Sequence, residues 1–495
     1  MLKMIFGLAI LFSLSASAFT YGAQNPVNSL SPFADSNMTQ WEIHKLVYDF
    51  LLIEIPGTRD IYRAGLAKSW TISKDKKIFD FELRPAQWSD GKPVTVEDVK
   101  FSLEHILDAA YKSPWKASFA AVEKIEILSS TKIRISSKFT NYEQWKNIAV
   151  TLKILPKHFY QKPSSSNYNK QLLGSGPYKL TNYESAQIIN LEKNPLWWGW
   201  QDAELKNWFI PEKISFQTVA TQYMSANYLQ KNKIDIYPIR MSYSVMNLKP
   251  KRKDAFYLVY NPNKDPEMLE QIFFNLKNPL FEKKEVRIAL NQLVDRANLC
   301  TKFYGNKKII SPYQKEKALA ALKKAGWVDS NKDGVLDKNL DGKLVSFEFE
   351  ILYNFQEAEP ILTFLKENFK GFGIRINLKS TDNSLFWNTL HEKLFNAYFD
   401  RQDENETVLD SEWQTNGYYN NQGFSSIAID KDLDKLDETY EVKSREKLIK
   451  DIRQKINSEA TSLQLCYVKH EDFAINSKHS QESIKKGIPI WGWFK

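Results

Sequence analysis

Residues 65–108 read GLAKSWTISKDKKIFDFELRPAQWSDGKPVTVEDVKFSLEHILD, and this stretch contains two different hydrophobic periods in succession. Apolar and polar residues alternate over 78–84, which predicts a strand with one buried face. A helix is predicted over 95–110, where Thr95 and Asp98 have the spacing of a capping box and apolar residues recur at helical intervals. A strand followed by an amphipathic helix indicates a chain of mixed α/β class.

The rest of the chain continues this alternation of helix and strand patterns. The predicted elements are a helix over 38–53, a hairpin with strands at 125–127 and 133–135, a helix over 283–299, a strand over 345–353, a helix over 358–370 and a strand over 374–378. The β-α-β succession in the second half predicts an open α/β sheet.

The first residues have the composition of an export signal. Lys3 supplies a positive start, residues 4–14 form an apolar run too short to cross a bilayer as a helix, and residues 16–18 (Ala-Ser-Ala) resemble a cleavage site. We expect a signal peptide over 1–18 and a periplasmic mature chain that begins at about Phe19. The alternative is an uncleaved N-terminal anchor.

Composition excludes some classes of partner. Of the 495 residues, 43% are hydrophobic and 14% aromatic, which is enough for large buried cores. The net charge of +9 is spread through mixed Lys and Glu segments without an arginine-rich stripe, so nucleic acid is not an expected partner.

The two cysteines are Cys300 and Cys466. Export permits a disulfide, but we expect two free, buried thiols.

The sequence lacks the spacings typical of catalytic sites. Its six histidines are scattered, and none forms an HExxH helix. Residues 174–176 (Gly-Ser-Gly) are not a nucleophile elbow, and residues 371–373 (Gly-Phe-Gly) lack the third glycine of a dinucleotide loop. We therefore expect a binding protein that carries no cofactor and no metal. A secreted glycosidase or peptidase is the alternative.

Residues 329–337, DSNKDGVLD, resemble the first half of a calcium-binding loop. Asp329, Asn331 and Asp333 stand at calcium-ligand positions, but the twelfth position is Leu340, where such a loop needs a bidentate Glu. Asp and Asn are also common in tight turns, because their side chains bond the nearby backbone. A turn and a weak cation site are both open interpretations.

Four segments, in order, are similar to one protein family. They are 65–108, quoted above, 174–198 (GSGPYKLTNYESAQIINLEKNPLWW), 227–238 (NYLQKNKIDIYP) and 273–296 (FFNLKNPLFEKKEVRIALNQLVDR). Together they resemble the large solute-binding proteins of peptide-type ABC importers, the oligopeptide/dipeptide-binding family (extracellular solute-binding family 5). The resemblance runs from about Tyr21 to the C-terminus.

The resemblance implies a two-lobed periplasmic-binding-protein-like fold (type II, cluster C) with an extra subdomain inserted in lobe I. The implied division is lobe I over 19–256 with the inserted subdomain at about 45–165, lobe II over 257–469, and a C-terminal return to lobe I over 470–495. Two crossover segments, near 255–274 and 465–469, would join the lobes, and ligand would bind between them.

The resemblance also implies where the ligand is recognised. Many peptide binders of this family carry Gly-Trp-x-x-Asp in lobe II, and the aspartate pairs with the amino group of the peptide. Aligned without gaps, Tyr398 takes the tryptophan place and Arg401 the aspartate place, whereas a shift of one residue places Asp400 there. An arginine would favour a carboxylate, a phosphate or a neutral polar group. Alternatively, Arg401 points to solvent or pairs with Asp400 or Asp403.

Aromatic residues are the other candidates for the ligand cleft. Trp387 lies in a helical pattern and is expected in the core. Trp413, Tyr418 and Tyr419 lie in a Gly/Asn-rich stretch, where exposure toward the cleft is expected.

The expected function is capture of a peptide or peptide-like ligand by a monomeric periplasmic protein, which delivers it to an ABC permease in the inner membrane. No chemistry takes place on such a protein. The alternatives within this fold are a sensory co-receptor and a binder of a non-peptide solute, such as an anionic ligand, a sugar or a metal chelate.

Overall fold

The computed structural model describes most of the chain. The described residues are 18–33, 38–58, 60–108, 113, 115–161, 168–185, 187–219, 221–239, 255–259, 267–305, 311–354, 358–403, 409–469, 473–484 and 487–493. The predicted signal peptide lies outside these residues, apart from Ala18. Within the described ranges, every helix is too short or too polar to cross a lipid bilayer.

The strands of the described residues are listed here in chain order. They are β1 (Phe19–Ala23), β2 (Leu52–Glu54), β3 (Tyr62–Ala64), β4 (Ala67–Ile72), β5 (Ile78–Leu83), β6 (Val122–Ile127), β7 (Lys132–Ser137), β8 (Tyr178–Ser185), β9 (Ile188–Lys193), β10 (Lys213–Thr218), β11 (Ile236–Pro238), β12 (Phe256–Val259), β13 (Glu267–Phe274), β14 (Asp337–Leu340), β15 (Lys343–Ser346), β16 (Glu348–Tyr353), β17 (Arg375–Ser380), β18 (Ala397–Asp403), β19 (Ser462–Lys469) and β20 (Phe473–Asn476).

The α-helices follow the same order. They are α1 (Met38–Val47), α2 (Val96–Leu107), α3 (Tyr142–Lys146), α4 (Lys157–Tyr160), α5 (Gln222–Gln230), α6 (Lys284–Gln292), α7 (Arg296–Tyr304), α8 (Lys315–Lys324), α9 (Glu359–Lys370), α10 (Asn383–His391), α11 (Leu409–Trp413), α12 (Ile427–Glu438) and α13 (Val442–Ser458).

Two large sheets form the centres of two lobes. The first sheet has the order β12-β20-β11-β1-β10-β9-β8, and its core includes residues of α1 and the C-terminal Trp491 and Trp493. The second has the order β17-β16-β18-β13-β19. Helices α6 to α9 cover one of its faces and α10 to α13 the other, and each face has its own hydrophobic core. The fold is therefore a two-lobed α/β structure, as the resemblance implied.

A smaller unit is inserted in the first lobe. Strands β4 to β7 form an antiparallel sheet in the order β4-β5-β7-β6, and α2 and α3 pack on it around a separate core. Thr95 begins α2 as predicted, since its backbone N–H and its hydroxyl both donate to Asp98 Oδ2, at 2.8 and 2.9 Å. We call this unit the subdomain.

Two predicted elements are divided in the structure. The helix expected over 283–299 is two helices, because Asp295 accepts a hydrogen bond from the backbone N–H of Asn298 and so begins α7. The strand expected over 345–353 is interrupted at Phe347. Before that residue β15 pairs with β14, and after it β16 joins the second sheet.

The expectation of free thiols is wrong. Cys300 on α7 and Cys466 on β19 form a disulfide, although 166 residues separate them in the chain. Both residues are buried in the core of the second lobe, on the face covered by α6 to α9. The bridge therefore fixes α7 against the edge strand of the second sheet.

Helix α1 ends at Val47, earlier than its apolar pattern predicts, because another segment occupies the space beyond it. Gly176 N donates to Val47 O at 2.9 Å, and a Cβ atom added to Gly174 would lie 1.9 Å from the same oxygen. The glycines of this segment therefore permit a close approach of two backbones.

We predict that Gly174→Ala lowers the free energy of unfolding by about 3 kcal/mol, since the new methyl group overlaps a backbone carbonyl. Gly91 is the matched control. It has a positive φ of 86° but open space around the Cβ position, so Gly91→Ala is expected to cost only about 1 kcal/mol. Urea denaturation of both variants measures the difference, and a larger loss for Gly91→Ala would contradict this account.

Candidate functional site

Several strands of the first sheet begin or end along one edge. In the register of that sheet Ala23 lies opposite Thr218, and Phe473 lies opposite both Pro238 and Val259. These positions therefore lie along one edge, which is the carboxyl end of the parallel strands β1, β10 and β11. Ligands of open α/β sheets commonly bind outside this end.

The second sheet has a corresponding edge at its own connections to the first sheet. Glu267 pairs with Lys469, and Met268 pairs with Asp403, so the carboxyl end of β18 is level with the start of β13 and the end of β19. The chain leaves the first sheet after Val259 and enters the second at Glu267, then returns between Lys469 and Phe473. The short return spans at most about 14 Å. The carboxyl edges of both sheets therefore lie at the connections between the two lobes.

Arg401 lies at this edge of the second sheet and is buried. Its Nε and Nη2 atoms both donate to Oε1 of Glu270 on β13, at 2.9 and 2.7 Å. Tyr304 of α7 donates its hydroxyl to the other oxygen of Glu270 at 2.5 Å. Only 6% of the Arg401 side chain and none of the Glu270 side chain is exposed. Glu270 is therefore the main partner of Arg401. Neither expected alternative, exposure to solvent or a pair with Asp400 or Asp403, matches this arrangement.

The charges of this cluster balance one another. Burial lowers the pKa of Arg401, but the adjacent carboxylate of Glu270 outweighs this effect and the pKa is raised. Burial and the same carboxylate raise the pKa of Tyr304, so its hydroxyl stays protonated as a donor. The Nη1 atom of Arg401 is buried without a hydrogen-bond partner among the described residues. One donor of the cluster is therefore left for another acceptor.

Two candidate residues near Arg401, Tyr398 and Asp400, do not share its face of the sheet. Side chains alternate along a strand, so Tyr398 and Asp400 point to the face opposite Arg401. Tyr398 is buried in the core on that face, with its ring stacked on Phe273 at 5.1 Å. Asp400 accepts a hydrogen bond from the backbone N–H of Arg401 at 2.8 Å. For Asp403 the structure gives the strand register alone. Their role in ligand binding stays a prediction.

The expectation that Trp413 is exposed is wrong, because it lies on α11 with 3% of its surface exposed and packs on Phe424.

Tyr418 and Tyr419 are exposed, and their rings lie 5.2 and 6.4 Å from the ring of His391. His391 ends α10, six residues before β18 begins. The pair is therefore near the amino end of β18, whereas Arg401 is near its carboxyl end.

Trp387 is partly buried against the core of the α10–α13 face, as its helical pattern predicted.

Sequence reasoning missed Glu270 and Tyr304. The available signal is an acidic residue inside the largely apolar strand MLEQIFF, which implies a buried partner for its charge. The position of that partner, 131 residues away, is a property of the fold.

A cavity of about 200 Å³ lies elsewhere in the second lobe, between α6, the end of α13 and the start of β19. Its volume is below that of most sites for drug-sized ligands. The amide of Asn291 already bonds backbone atoms of β19 there, since its Nδ2 donates to Ser462 O and its Oδ1 accepts from Gln464 N. These contacts protect the edge of the sheet.

The turn interpretation of 329–337 fits the structure. The carboxylate of Asp329 accepts the backbone N–H groups of Asp333 and Gly334, each at 3.1 Å, and Asp333 Oδ1 accepts that of Val335 at 2.8 Å. These oxygens are thus engaged by their own loop. In the part of the chain that the structure describes, no group of three or more His, Cys, Asp or Glu is arranged to hold a metal ion.

Comparison with known proteins identifies the family. Residues 62–426 match the family described as bacterial extracellular solute-binding proteins, family 5 Middle. The chain belongs to this family. A binding protein of Brucella melitensis is 27% identical over 297 residues, which cover 56% of this chain and 47% of that protein. The chain therefore matches about half the length of that curated relative.

Solved structures agree with this assignment at the level of the fold. The oligopeptide-binding protein AppA from Bacillus subtilis, in complex with a nonapeptide, has 20% identity and a TM-score of 0.70 over 93% of this chain and 94% of that chain. NikA from Brucella suis, in complex with Fe(III)-EDTA, has 17% identity and a TM-score of 0.77 over 97% and 99% of the two chains. Members of one solute-binding fold thus hold chemically different ligands.

We predict that Glu270→Gln lowers the free energy of unfolding by about 3 kcal/mol, because it leaves the buried Arg401 without a counter-charge. Adding Arg401→Met to that variant should restore most of the loss, since the unpaired charge is then removed. Glu348 pairs with Arg375 of the same sheet through exposed side chains, and Glu348→Gln is the control, with an expected loss below about 1 kcal/mol. Equal losses for both glutamates in urea denaturation would contradict the assignment.

A second prediction concerns the 329–337 turn. Asp329→Ala should lower stability by about 1 kcal/mol, because two backbone N–H groups lose their acceptor. Millimolar calcium should leave the melting temperature of the wild-type protein unchanged. A calcium-dependent rise in the wild type that disappears in Asp329→Ala would favour the cation site.

Proposed function

We propose that this protein captures a peptide or peptide-like solute between its two lobes and delivers it to an ABC permease of the inner membrane. The observation that supports this most directly is that the chain passes between the two sheets at their carboxyl edges, where ligands of open α/β sheets commonly bind. In this proposal the first 18 residues are a signal peptide cleaved near Ala18, and the protein works in the periplasm.

The proposed division into lobes follows from the sheets. Lobe I comprises 19–256 with the inserted subdomain at about 45–165, lobe II comprises 257–469, and 470–495 returns to lobe I. The first sheet continues to Val259, a few residues beyond the expected boundary. The change of sheet between Val259 and Glu267, and the return after Lys469, support hinges close to the expected crossovers.

Capture by such a protein is a hinge motion. Two short connections allow the lobes to rotate as rigid bodies, and a ligand touches both edges only when the lobes are closed. Binding then increases the population of the closed form. An affinity in the micromolar range corresponds to about −8 kcal/mol.

Arg401 determines the chemistry that we propose for the lobe II wall. Since Glu270 already balances its charge, the cluster presents the Nη1 donor without a strong net positive field. Such a donor suits a neutral acceptor, for example a peptide carbonyl oxygen. Recognition of the peptide amino group would then depend on other residues than position 401.

A binder of a non-peptide solute is the second candidate. The residue that favours it is the same Arg401, which in the alignment without gaps stands where many peptide binders of this family carry an aspartate. The Fe(III)-EDTA complex of NikA shows that a relative with this fold holds a metal chelate.

We expect mass spectrometry of protein isolated from its natural host to detect a bound peptide. Titration calorimetry of the ligand-free protein should then give heat with peptide pools and none with Fe(III)-EDTA. Peptides should be recovered intact, because no catalysis is proposed. Heat with the chelate but not with any peptide pool would contradict the peptide assignment and support the second candidate.

The double variant Arg401→Met/Glu270→Gln tests the proposed wall. It removes the donor, while the amide introduced at position 270 keeps an oxygen for the Tyr304 hydroxyl, and we expect peptide affinity to fall about tenfold. The control is Arg375→Met/Glu348→Gln, an exposed pair of the same sheet. Equal affinities for the two double variants would exclude Arg401 from the binding wall.

A further inference from the structure

Helix α13 of the second lobe extends an arginine into the subdomain. Only 3% of the Arg445 side chain is exposed, and its guanidinium carbon lies 3.6 Å from the centre of the Tyr142 ring. Its Nη2 donates to Glu143 Oε1 at 3.2 Å, and its Nε lies 3.5 Å from Asp60 Oδ2. Its Nη1 donates to two backbone carbonyls of its own lobe, at 2.7 and 3.0 Å. The guanidinium is therefore shared between the two lobes.

Neighbouring residues extend this contact. Asn141 Nδ2 donates to Asp437 Oδ2 at 3.2 Å, and the hydroxyl of Tyr440 donates to the carbonyl of Asn141 at 3.2 Å. The rings of Tyr440 and Tyr142 meet edge to face at 5.1 Å. We call this contact the clasp. It consists of Asp60, Asn141, Tyr142 and Glu143 of the subdomain and Asp410, Asp437, Tyr440 and Arg445 of the second lobe.

The clasp contains more acidic than basic groups. Its carboxyl groups are Asp60, Glu143, Asp410 and Asp437, whereas the cations that face them are Arg445 and Lys146. The remaining charged groups near Asp437 are Asp434 and Glu438 of its own helix, which add to the negative charge. Lys76 lies on the outer side, 5.5 Å from the ring centre of Tyr440.

Asp60 takes most of the available positive charge. Its Oδ1 accepts from Lys146 Nζ and from the hydroxyl of Tyr62, both at 3.1 Å. Burial raises the pKa of Asp60, but Lys146 and Arg445 outweigh that effect and lower it. Asp60 therefore stays ionised, and Arg445 alone cannot balance Glu143, Asp410 and Asp437.

The other three carboxyl groups of the clasp therefore hold their protons more strongly than ordinary carboxyl groups do. Burial, with the nearby acidic groups Asp410 and Asp60, raises the pKa of Glu143 to about 7, although Lys146 and Arg445 oppose this. Burial and the adjacent Asp410 raise the pKa of Asp437 to about 7. Burial also raises the pKa of Asp410.

We propose that the clasp holds the two lobes together when protons neutralise Glu143 and Asp437, and that it weakens when both are ionised. The protein then closes more readily in acidic than in alkaline surroundings. This inference rests on the hinge motion of the proposed function, but it does not depend on the identity of the solute.

The direction of the pH dependence follows from linkage. In the open form these carboxyl groups face water and titrate near their ordinary pKa values of about 4. Closure raises these values, so the closed form binds more protons between about pH 4 and pH 7. The closed form is most favoured below about pH 4, and this advantage is lost as the pH rises through about 7. Each proton taken up changes the closed-to-open ratio by up to about tenfold per pH unit.

The test measures the distance between the lobes in the protein without added ligand. Lys124 of the subdomain and Lys447 of α13 are exposed, and the native cysteines are bonded to each other. Spin labels on Lys124→Cys and Lys447→Cys report that distance by electron-electron resonance at about pH 5.5 and about pH 7.5, which span the alkaline half of the expected change. We expect the closed-to-open ratio to fall about tenfold or more between these pH values.

Matched variants separate the clasp from general charge effects. Glu143→Gln/Asp437→Asn keeps the shapes and hydrogen-bonding oxygens but cannot ionise at these two positions, so its ratio should change with pH much less than that of the wild type. Glu123→Gln/Glu446→Gln removes one exposed carboxylate from each side outside the clasp, and its ratio should follow the wild-type profile.

Four results would overturn the proposal in whole or in part. A wild-type ratio that is equal at the two pH values excludes proton control, and so does a Glu143→Gln/Asp437→Asn variant that responds to pH as strongly as the wild type does. A label distance that stays fixed at every pH, and also in Arg445→Ala, would overturn the hinge motion of the proposed function together with the clasp. Opening in Arg445→Ala without any pH response in the wild type would overturn proton control alone.

Discussion

Two connections between the sheets constrain the whole molecule. The chain passes from β12 to β13 and returns from β19 to β20, and all four strand ends lie at the carboxyl edges of their sheets. Because the return is only a few residues long, the edges must stay close at this side while they are free to separate elsewhere. Each lobe consequently buries a core of its own.

Two buried ion pairs lie at the edge of the second sheet and at the contact between the lobes. The edge of the second sheet holds the Arg401–Glu270 pair, and the contact between subdomain and second lobe holds Arg445 with Asp60 and Glu143. Other buried charged side chains lie within a lobe, such as Arg296, which donates to backbone carbonyls of lobe II, and Asp235, which is hydrogen-bonded to His479 in lobe I. The two pairs outside the lobe interiors are the ones placed to serve recognition or motion.

Individual strands and helices could be predicted from the sequence, because interactions between residues close together in the chain determine them. The alternation over 78–84 and the Thr95–Asp98 pair produced the strand and helix expected of them. The end of α1 could not be predicted, because Gly174 approaches Val47 from a segment far along the chain.

The candidate site was less predictable for the same reason. The Cys300–Cys466 bridge and the partner of Arg401 depend on strands that meet only after folding. Trp413 was misjudged because the Gly/Asn-rich composition of the following residues indicated a loop, whereas α11 is a short helix that buries this side chain. Arg445 did leave a signal, since it occupies a position in the buried stripe of Ile449, Ile452 and Ile456 on α13.

An arginine in that position is physically reasonable for a contact that must open. An apolar side chain there would bury surface against the subdomain. The resulting free energy would hold the lobes together, and a change of pH would not remove it. A buried ion pair instead gains attraction and loses hydration in similar amounts, so the net preference for the closed form is small. Binding or loss of a ligand or of a proton can reverse such a small preference. Lobes that meet through charged groups can therefore exchange between open and closed forms, whereas each apolar core keeps its lobe intact.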